Sequence, residues 1–222
     1  MNIKQANVIA VLGKRGSGKT ILTEHIVSKL AAEYPVFVYD VVHNWTKSNY
    51  TQFRTINIHQ MPAFGCCVFQ EHSDDDFTKF TESFYHLAIG LNSNGVVYPF
   101  FLVFDEIYMH VDNSNLDAED NWFFKRLLVI ARNYGVGLIF VSQRPAIMNK
   151  TILTQADFIS CFKVHHHLDT KALEEYFPAE KMQHLEDFHY ATYDNRSGKV
   201  EYSKPVQIHE PKHKKQDKDV KV

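Results

Sequence analysis

The chain has 222 residues, of which 45% are hydrophobic and 14% aromatic, so it can bury the core of one globular domain of ordinary size. The formal net charge of −2 excludes an overall basic surface for coating nucleic acid, although a ring could still concentrate a few cations at its centre. We expect neither a signal peptide nor a membrane-spanning segment, because every apolar run is short. The three cysteines have neither metal-ligand nor disulfide spacing, which favours a reducing compartment.

The first motif is a glycine-rich loop between an apolar run, Val8 to Leu12, and an amphipathic helix. Its residues are Gly13, Lys14, Arg15, Gly16, Ser17, Gly18, Lys19 and Thr20, at the spacing of a phosphate-binding loop. In such a loop the backbone N–H groups and the helix N-terminus face the phosphates. The motif predicts that Lys19 contacts the β- and γ-phosphates of a nucleotide and that the Thr20 hydroxyl binds Mg²⁺.

The next segments predict two strands and a helix. A buried strand over residues 36–40 ends in Asp40, which lies either at a ligand-binding edge or in a cap or surface turn. A short apolar alternation at residues 55–59 precedes a strand over residues 67–70. The acidic triplet at residues 74–76 favours a helix cap over a metal site, because Phe77, Phe80, Phe84, Leu87 and Leu91 follow at helical spacing.

A second functional motif is the buried-strand pattern of residues 100–106, which ends in Asp105 and Glu106. Downstream of a phosphate-binding loop, such a pair suits nucleotide hydrolysis. Asp105 would hold Mg²⁺, usually through water, and Glu106 would polarise the attacking water.

A third motif spans the end of one helix and the following strand. Residues 117–134 predict a helix with Arg132 off its apolar side, and Gly135 and Gly137 interrupt before an apolar strand from residue 138. That strand ends in Gln143 and Arg144, at the edge where phosphates are expected, and Pro145 stops it.

The remainder predicts a core strand over residues 158–164, a helix over residues 170–177 and a β-hairpin over residues 189–208. The run His165 to His167 favours a polar loop over a metal site, since three consecutive side chains do not converge on one ion. Residues 209–222 carry five lysines against three acidic residues, which predicts a charged, disordered tail after a domain of residues 1–208.

Together the three motifs resemble those of the FtsK–HerA superfamily of DNA-translocating ATPases. The most specific is the run from Ala131 to Pro145, with its Arg-x-x-Gly helix end and its strand closing in Ser-Gln-Arg-Pro. The resemblance covers roughly residues 5–165 and is weakest over residues 41–99. At this length the chain is most similar to the genome-packaging ATPases of membrane-containing icosahedral viruses.

The resemblance implies a P-loop NTPase fold of the RecA-like, ASCE type: a three-layer α/β sandwich with a central, mainly parallel sheet and here a C-terminal β-hairpin. It implies that Gln143 senses the γ-phosphate and that Arg132, or its rival Arg144, is an arginine finger acting on a neighbour. ATP and Mg²⁺ are the implied ligands. The implied partners are double-stranded DNA, further copies in a pentameric or hexameric ring, and capsid-vertex or inner-membrane proteins. The implied location is the host cytoplasm or the packaging vertex of the virion.

Other functions fit less well. Lys14 stands where ParA–MinD partition ATPases have a second lysine, but Arg15 replaces their usual glycine and no Asp-x-Pro-Pro follows a strand. The chain contains neither an Asn-Lys-x-Asp motif for guanine nor an arginine-rich kinase lid. A zonular-occludens-toxin-like phage morphogenesis ATPase would need a membrane span. The Asp105–Glu106 pair argues against a vertex protein that binds nucleotide without hydrolysing it.

Overall fold

The structure is a computed structural model that describes residues 3–4, 6–47, 49–53, 64–73, 75–96 and 98–207. A single nine-stranded sheet forms its centre, in the order β3-β4-β2-β5-β6-β1-β7-β8-β9. The strands are β1 Val8–Leu12, β2 Pro35–Asp40, β3 Thr51–Phe53, β4 Gly65–Gln70, β5 Phe100–Asp105, β6 Val136–Ser142, β7 Phe158–Phe162, β8 Tyr190–Asp194 and β9 Lys199–Ser203. The helices are α1 Lys19–Leu30, α2 Asp76–Ser93, α3 Trp122–Ile130, α4 Lys150–Gln155, α5 His167–Leu173 and α6 Ala179–Gln183.

Strands β1 to β7 pair in parallel, and β8 and β9 form an antiparallel hairpin on β7. Alternate residues of each central strand face opposite layers, so that Ala10 packs with α2 and α3 while Ile9 and Val11 pack with α1. The predicted three-layer α/β sandwich, with its mainly parallel sheet and C-terminal hairpin, is therefore confirmed. No helix among the described residues is long and apolar enough to cross a membrane.

Strand β6 lies between β1 and β5, in register with both. The strand of the third motif thus separates the strand of the phosphate-binding loop from that of the Asp105–Glu106 pair. All three are parallel, so their carboxyl ends lie at one edge of the sheet, where ligands bind in open α/β folds. We call this edge the P-loop edge.

Several predicted bounds shift. The helix predicted over residues 117–134 is three elements: a 3₁₀ turn at Glu119–Asn121, α3, and a second 3₁₀ turn at Ala131–Tyr134. Apolar spacing runs through all three and so conceals the boundaries. The helix predicted over residues 170–177 is α5, which begins at His167 and ends at Leu173. Helices α4 and α6 were not predicted, because neither is longer than six residues.

Four predictions lie wholly or partly outside the described residues: the alternation at residues 55–59, Asp74 in the acidic triplet, the last residue of the hairpin predicted over residues 189–208, and the tail of residues 209–222. Of the rest of the triplet, Asp76 is the first residue of α2 and accepts hydrogen bonds from the N–H groups of His72 and Ser73. This is the predicted capping role, and these bonds lower the pKa of Asp76, outweighing the effect of burial, which raises it.

The packing between β5 and β6 depends on the absence of a side chain at Gly137. Gly137 is the register partner of Phe101, whose ring is fully buried. A Cβ at Gly137 would lie 2.1 Å from Phe101 Cε1, well inside van der Waals contact. Glycine is therefore required here for close approach between neighbouring strands.

We expect Gly137→Ala to destabilise the fold by about 1–3 kcal/mol, because Phe101 has no free space into which to move. Gly90→Ala in α2 is the matched control: a Cβ there meets nothing within 4 Å, and we expect a gain of about 0.5–1 kcal/mol. Urea denaturation of both variants measures the difference. Equal effects at the two positions would contradict this account of the β5–β6 contact.

Candidate functional site: a phosphate-binding loop facing two carboxylates

The phosphate-binding loop joins β1 to α1 and is pressed against the end of β7. Gly13 has a φ of 146°, and a Cβ there would lie 2.7 Å from Phe162 Cβ. Gly18 has a φ of 106° and directly precedes α1. Only glycine combines these backbone angles with this close approach. The loop residues thus curl round the N-terminus of α1, as the motif predicts.

Several polar groups of the loop are left for a ligand. Within the described part of the chain, the N–H groups of Gly18, Lys19 and Thr20 donate no hydrogen bond to another residue. The Ser17 hydroxyl is buried and has no partner among the described residues either. The Lys19 ammonium donates to the Lys14 carbonyl at 3.1 Å. Unpaired donors at a helix N-terminus fit a phosphate group, which carries both negative charge and acceptor oxygens.

Three charged residues meet at the centre of the P-loop edge. Burial lowers the pKa of Lys19, and the charges of Glu106 and Asp105 partly oppose that shift. Burial also raises the pKa of Asp105, to about 7, and the neighbouring Glu106 adds to the rise. Burial raises the pKa of Glu106 as well, although the Gln143 N–H and Lys19 partly offset it. Such strongly perturbed groups in one place are typical of functional sites.

Asp105 accepts a hydrogen bond from a turn that the carboxylate of Asp40 closes. Asp40, its register partner on β2, accepts the backbone N–H groups of Asn44 and Trp45. The Trp45 indole N–H in turn donates to Asp105 Oδ2 at 3.2 Å. Asp40 therefore lies at the P-loop edge and also closes a turn, which is buried and not at the surface, and this turn positions a donor for Asp105.

Glu106 adopts a conformation that is rare for a side chain of its size. Its φ is 52°, in the left-handed region. Its carboxylate accepts the Gln143 backbone N–H at 3.1 Å, and the Gln143 side-chain amide donates to the Tyr108 hydroxyl at 3.3 Å. Glu106 and Gln143 are thus in direct contact at the P-loop edge. Backbone strain held in place by such contacts is characteristic of active sites.

These residues fit Mg²⁺ only in combination with a ligand. Thr20 and Asp105 are the candidate oxygen donors, both at the P-loop edge. In the described ranges, no group of three or more His, Cys, Asp or Glu side chains could hold a metal ion. The histidines from His165 to His167 therefore form no such group. Magnesium usually takes only one or two protein ligands, with phosphate oxygens and water completing the octahedron.

Arg132 lies at the opposite edge of the sheet from the phosphate-binding loop. Its guanidinium donates to Asp157 Oδ1 at 3.0 Å, and Arg196 from the β8–β9 turn donates to the same oxygen. Asp157 is buried, and its other oxygen accepts the N–H of Val8, the first residue of β1. Burial raises the pKa of Asp157, but these donors outweigh burial and leave its pKa below the ordinary value.

Arg144, the rival of Arg132, lies at the P-loop edge itself. It follows β6 beside Gln143, and its Nε is 3.9 Å from the carboxylate of Asp169. A cleft of about 380 Å³ lies beside Arg132 and a second of about 370 Å³ beside Arg144, the latter lined also by Lys14 and Arg15. The two arginines therefore differ in which edge of the sheet they occupy.

Five residues whose side chains make these contacts were not predicted: Trp45, Tyr108, Asp157, Asp169 and Arg196. Trp45 lies in a loop and Tyr108 in a 3₁₀ turn at Ile107–Met109, and no sequence spacing specifies the contacts that their side chains make. Asp157 did carry a signal, since an isolated acid directly before a buried parallel strand faces the edge where that strand begins. Cys66, Cys67 and Cys161 are free.

The raised pKa of Asp105 predicts a pH-dependent stability in the absence of Mg²⁺ and nucleotide. Between pH 4 and 7 folded Asp105 keeps a proton that the unfolded chain, with a pKa near 3.8, has lost. The free energy of unfolding should therefore fall as pH rises through this window and level off above about 7. Asp105→Asn removes the titration, so its stability advantage should grow across the window to roughly 2–4 kcal/mol.

Urea denaturation in EDTA at several pH values between 4 and 8 measures this advantage. Asp75→Asn removes a carboxylate whose side chain is 82% exposed and serves as the control. An Asp105→Asn advantage that is constant with pH would contradict the burial-driven shift.

Comparison with known proteins identifies solved structures that share this fold. No protein-family model matches the chain, and no curated protein matches it. Among solved structures, the genome-packaging NTPase B204 from Sulfolobus turreted icosahedral virus 2, in complex with sulfate, is similar with a TM-score of 0.76 and 21% identity, over 93% of this chain and 100% of that chain. B204, the DNA-packaging ATPase from Sulfolobus Turreted Icosahedral Virus, gives a TM-score of 0.73 at 20% identity, over 92% and 100% of the two chains.

A more distant neighbour is the pCW3 conjugation coupling protein TcpA, solved in monomer form with ATPγS. It gives a TM-score of 0.60 at 16% identity, over 88% of this chain and 60% of that chain. These neighbours share with the chain the P-loop NTPase fold that the motifs imply. The chain has the P-loop NTPase fold of the viral genome-packaging protein B204.

Proposed function

We propose that this protein is an ATPase that drives double-stranded DNA into a virus particle as a ring of identical subunits. The observation that carries the proposal is the P-loop edge, where Lys19 of the phosphate-binding loop faces Asp105 and Glu106 and where Gln143 contacts Glu106. The fold shared with B204, a genome-packaging NTPase, supports the choice of packaging among the many activities of P-loop proteins.

Each residue of the P-loop edge has a separate role in the proposed hydrolysis. The residues from Gly13 to Thr20 hold the phosphates through backbone N–H groups, and Lys19 binds the β- and γ-phosphates. Thr20 and Asp105 would hold Mg²⁺, which would neutralise charge on the phosphates. Glu106, kept in place by the Gln143 N–H, accepts the proton of the attacking water. The Gln143 side-chain amide then senses whether a γ-phosphate is present.

Arg132 is our candidate for the arginine finger, acting on the nucleotide of a neighbouring subunit. A residue that acts across a boundary must lie away from its own phosphate-binding loop, and Arg132 lies at the far edge of the sheet. Arg144 lies beside its own loop, which suits a role within the subunit. Arg132 is 56% exposed even though it is paired with Asp157, so a neighbouring subunit can reach it.

The partners follow from this role. DNA contacts are to phosphates, because a motor has to move any sequence. The ring docks on a capsid vertex or on inner-membrane proteins, in the host cytoplasm or on the particle. A net charge of −2 means that DNA-facing cations are concentrated locally and not spread over the surface.

The first experiment separates binding from hydrolysis. Lys19→Ala removes a charge-assisted contact and should weaken ATP binding about 10- to 100-fold. Glu106→Gln keeps the hydrogen bond from Gln143 but cannot accept a proton, so turnover should fall about 10²- to 10⁴-fold while ATP binding persists. Calorimetry with ATP and Mg²⁺ and a phosphate-release assay measure the two effects. Glu82→Gln, on the exposed side of α2, is the control, and near-parental turnover in Glu106→Gln would refute its role as base.

The second experiment tests the motor. Turnover should rise with long duplex DNA whatever its sequence, and the rise should shrink as salt increases, because phosphate contacts release counterions. The ATPase rate is measured with and without DNA at low and moderate salt, together with the native mass at high protein concentration. A monomer or dimer whose turnover ignores DNA would contradict the proposal. A DNA-stimulated dimer would instead indicate a partition-type switch.

The third experiment tests whether Arg132 acts on a neighbour. Arg132→Ala subunits and Lys19→Ala subunits are each inactive alone, but in mixed rings some interfaces combine an intact Lys19 with an intact Arg132. Activity should therefore recover on mixing, with a maximum at intermediate ratios. Arg126→Ala, which alters an exposed arginine over Trp122 on α3, should retain activity unmixed. Absence of recovery in rings proven to be mixed would exclude a role in trans.

A further inference from the structure

Phe188 combines backbone strain with exposure of a large aromatic ring. It precedes β8 in a turn closed by the His189 N–H and the Glu186 carbonyl. Its φ is 62°, which bulky side chains rarely adopt, yet 51% of the residue is exposed to solvent. Burial of the ring therefore does not account for the strain. A strained, half-exposed aromatic residue beside a binding loop is a candidate ligand contact.

The ring of Phe188 lies against the phosphate-binding loop. A Cβ at Gly18 would be 3.3 Å from Phe188 Cδ1 and 3.2 Å from Phe162 Cε1, so both rings reach the loop backbone directly before α1. Tyr190 fixes the start of β8 at this edge: it is the register partner of Phe162, and the two ring centroids are 5.2 Å apart. Phe188 is thus positioned by β7 and β8 together.

The order of the strands indicates which part of a nucleotide would reach Phe188. Glu106 follows β5 and Gln143 follows β6, on one side of β1, whereas Phe188 precedes β8 on the other side. A triphosphate lying along the loop with its γ-phosphate toward Glu106 directs its base away from β6. The base then extends toward β7 and β8, where Phe188 presents its ring.

We propose that Phe188 is the base-stacking residue of the nucleotide site, with the adenine of ATP against its exposed ring. This inference rests on the proposed function, because it takes the loop from Gly13 to Thr20 as the triphosphate site. Stacking of an aromatic ring on a base strengthens binding without selecting one base, since every base has a π-face. Phe188 therefore contributes affinity for nucleotides over bare polyphosphates.

The test compares two probes, ATP and inorganic tripolyphosphate, each with Mg²⁺, by calorimetry on the full chain. Phe188→Ala should weaken ATP binding about tenfold and leave tripolyphosphate binding unchanged, since tripolyphosphate has no base. Phe188→Tyr keeps an aromatic ring and should retain the parental ATP affinity. Phe64→Ala, at an exposed phenylalanine elsewhere, should change neither affinity. Thermal denaturation verifies that each variant is folded.

Two results overturn stacking alone: unchanged ATP binding in Phe188→Ala, or equal losses for ATP and tripolyphosphate, which would mean that the ring only supports the loop. Lys19→Ala distinguishes these results from failure of the proposed function, because it should weaken binding of both probes. A parental chain that binds neither probe, or a Lys19→Ala variant that binds both normally, would overturn the triphosphate site and the stacking together.

Discussion

The architecture of the site depends on the placement of one buried ammonium, that of Lys19, against two buried carboxylates. Burial disfavours all three charges, which lowers the pKa of Lys19 and raises those of Asp105 and Glu106. The charge of Lys19 favours the ionised forms of Asp105 and Glu106, but it only partly offsets the effect of burial. Before any ligand binds, the buried charges of the site are therefore incompletely compensated. Under the proposed function, phosphate charge would compensate Lys19 and Mg²⁺ would compensate Asp105, so nucleotide and metal should bind most favourably together.

The sheet turns residues that are distant in sequence into neighbours. Because β6 lies between β1 and β5, the residues that follow these three strands share the P-loop edge. The same parallel order sends the residues that precede the strands to the opposite edge, where Arg132 and Arg196 meet Asp157. One chain therefore carries the proposed hydrolytic centre and a cationic pair on different edges, an arrangement that suits the head-to-tail contact of the proposed ring.

The sequence was sufficient for the elements with strong patterns. The sequence predicted closely the strands at Val8–Leu12 and Phe100–Asp105, because a buried parallel strand is a continuous apolar run. It also predicted the glycine loop, because the backbone angles at Gly13 and Gly18 require glycine. Contacts that side chains make across loops could not be predicted from the sequence, because the spacing of Trp45 or Phe188 does not indicate which residues their rings contact. The motif singled out Arg132 as a candidate, but its ion pair with Asp157 became visible only in the structure.

A crystal structure of Glu106→Gln grown with ATP and Mg²⁺ would show directly whether the loop holds the nucleotide. We expect the triphosphate at the P-loop edge, with its oxygens accepting hydrogen bonds from the N–H groups of Gly18, Lys19 and Thr20. The Lys19 ammonium should leave the Lys14 carbonyl for the β- and γ-phosphates, with Mg²⁺ beside Thr20 and Asp105. Nucleotide bound elsewhere, or a Lys19 still bonded to Lys14 beneath an ordered triphosphate, would contradict this expectation.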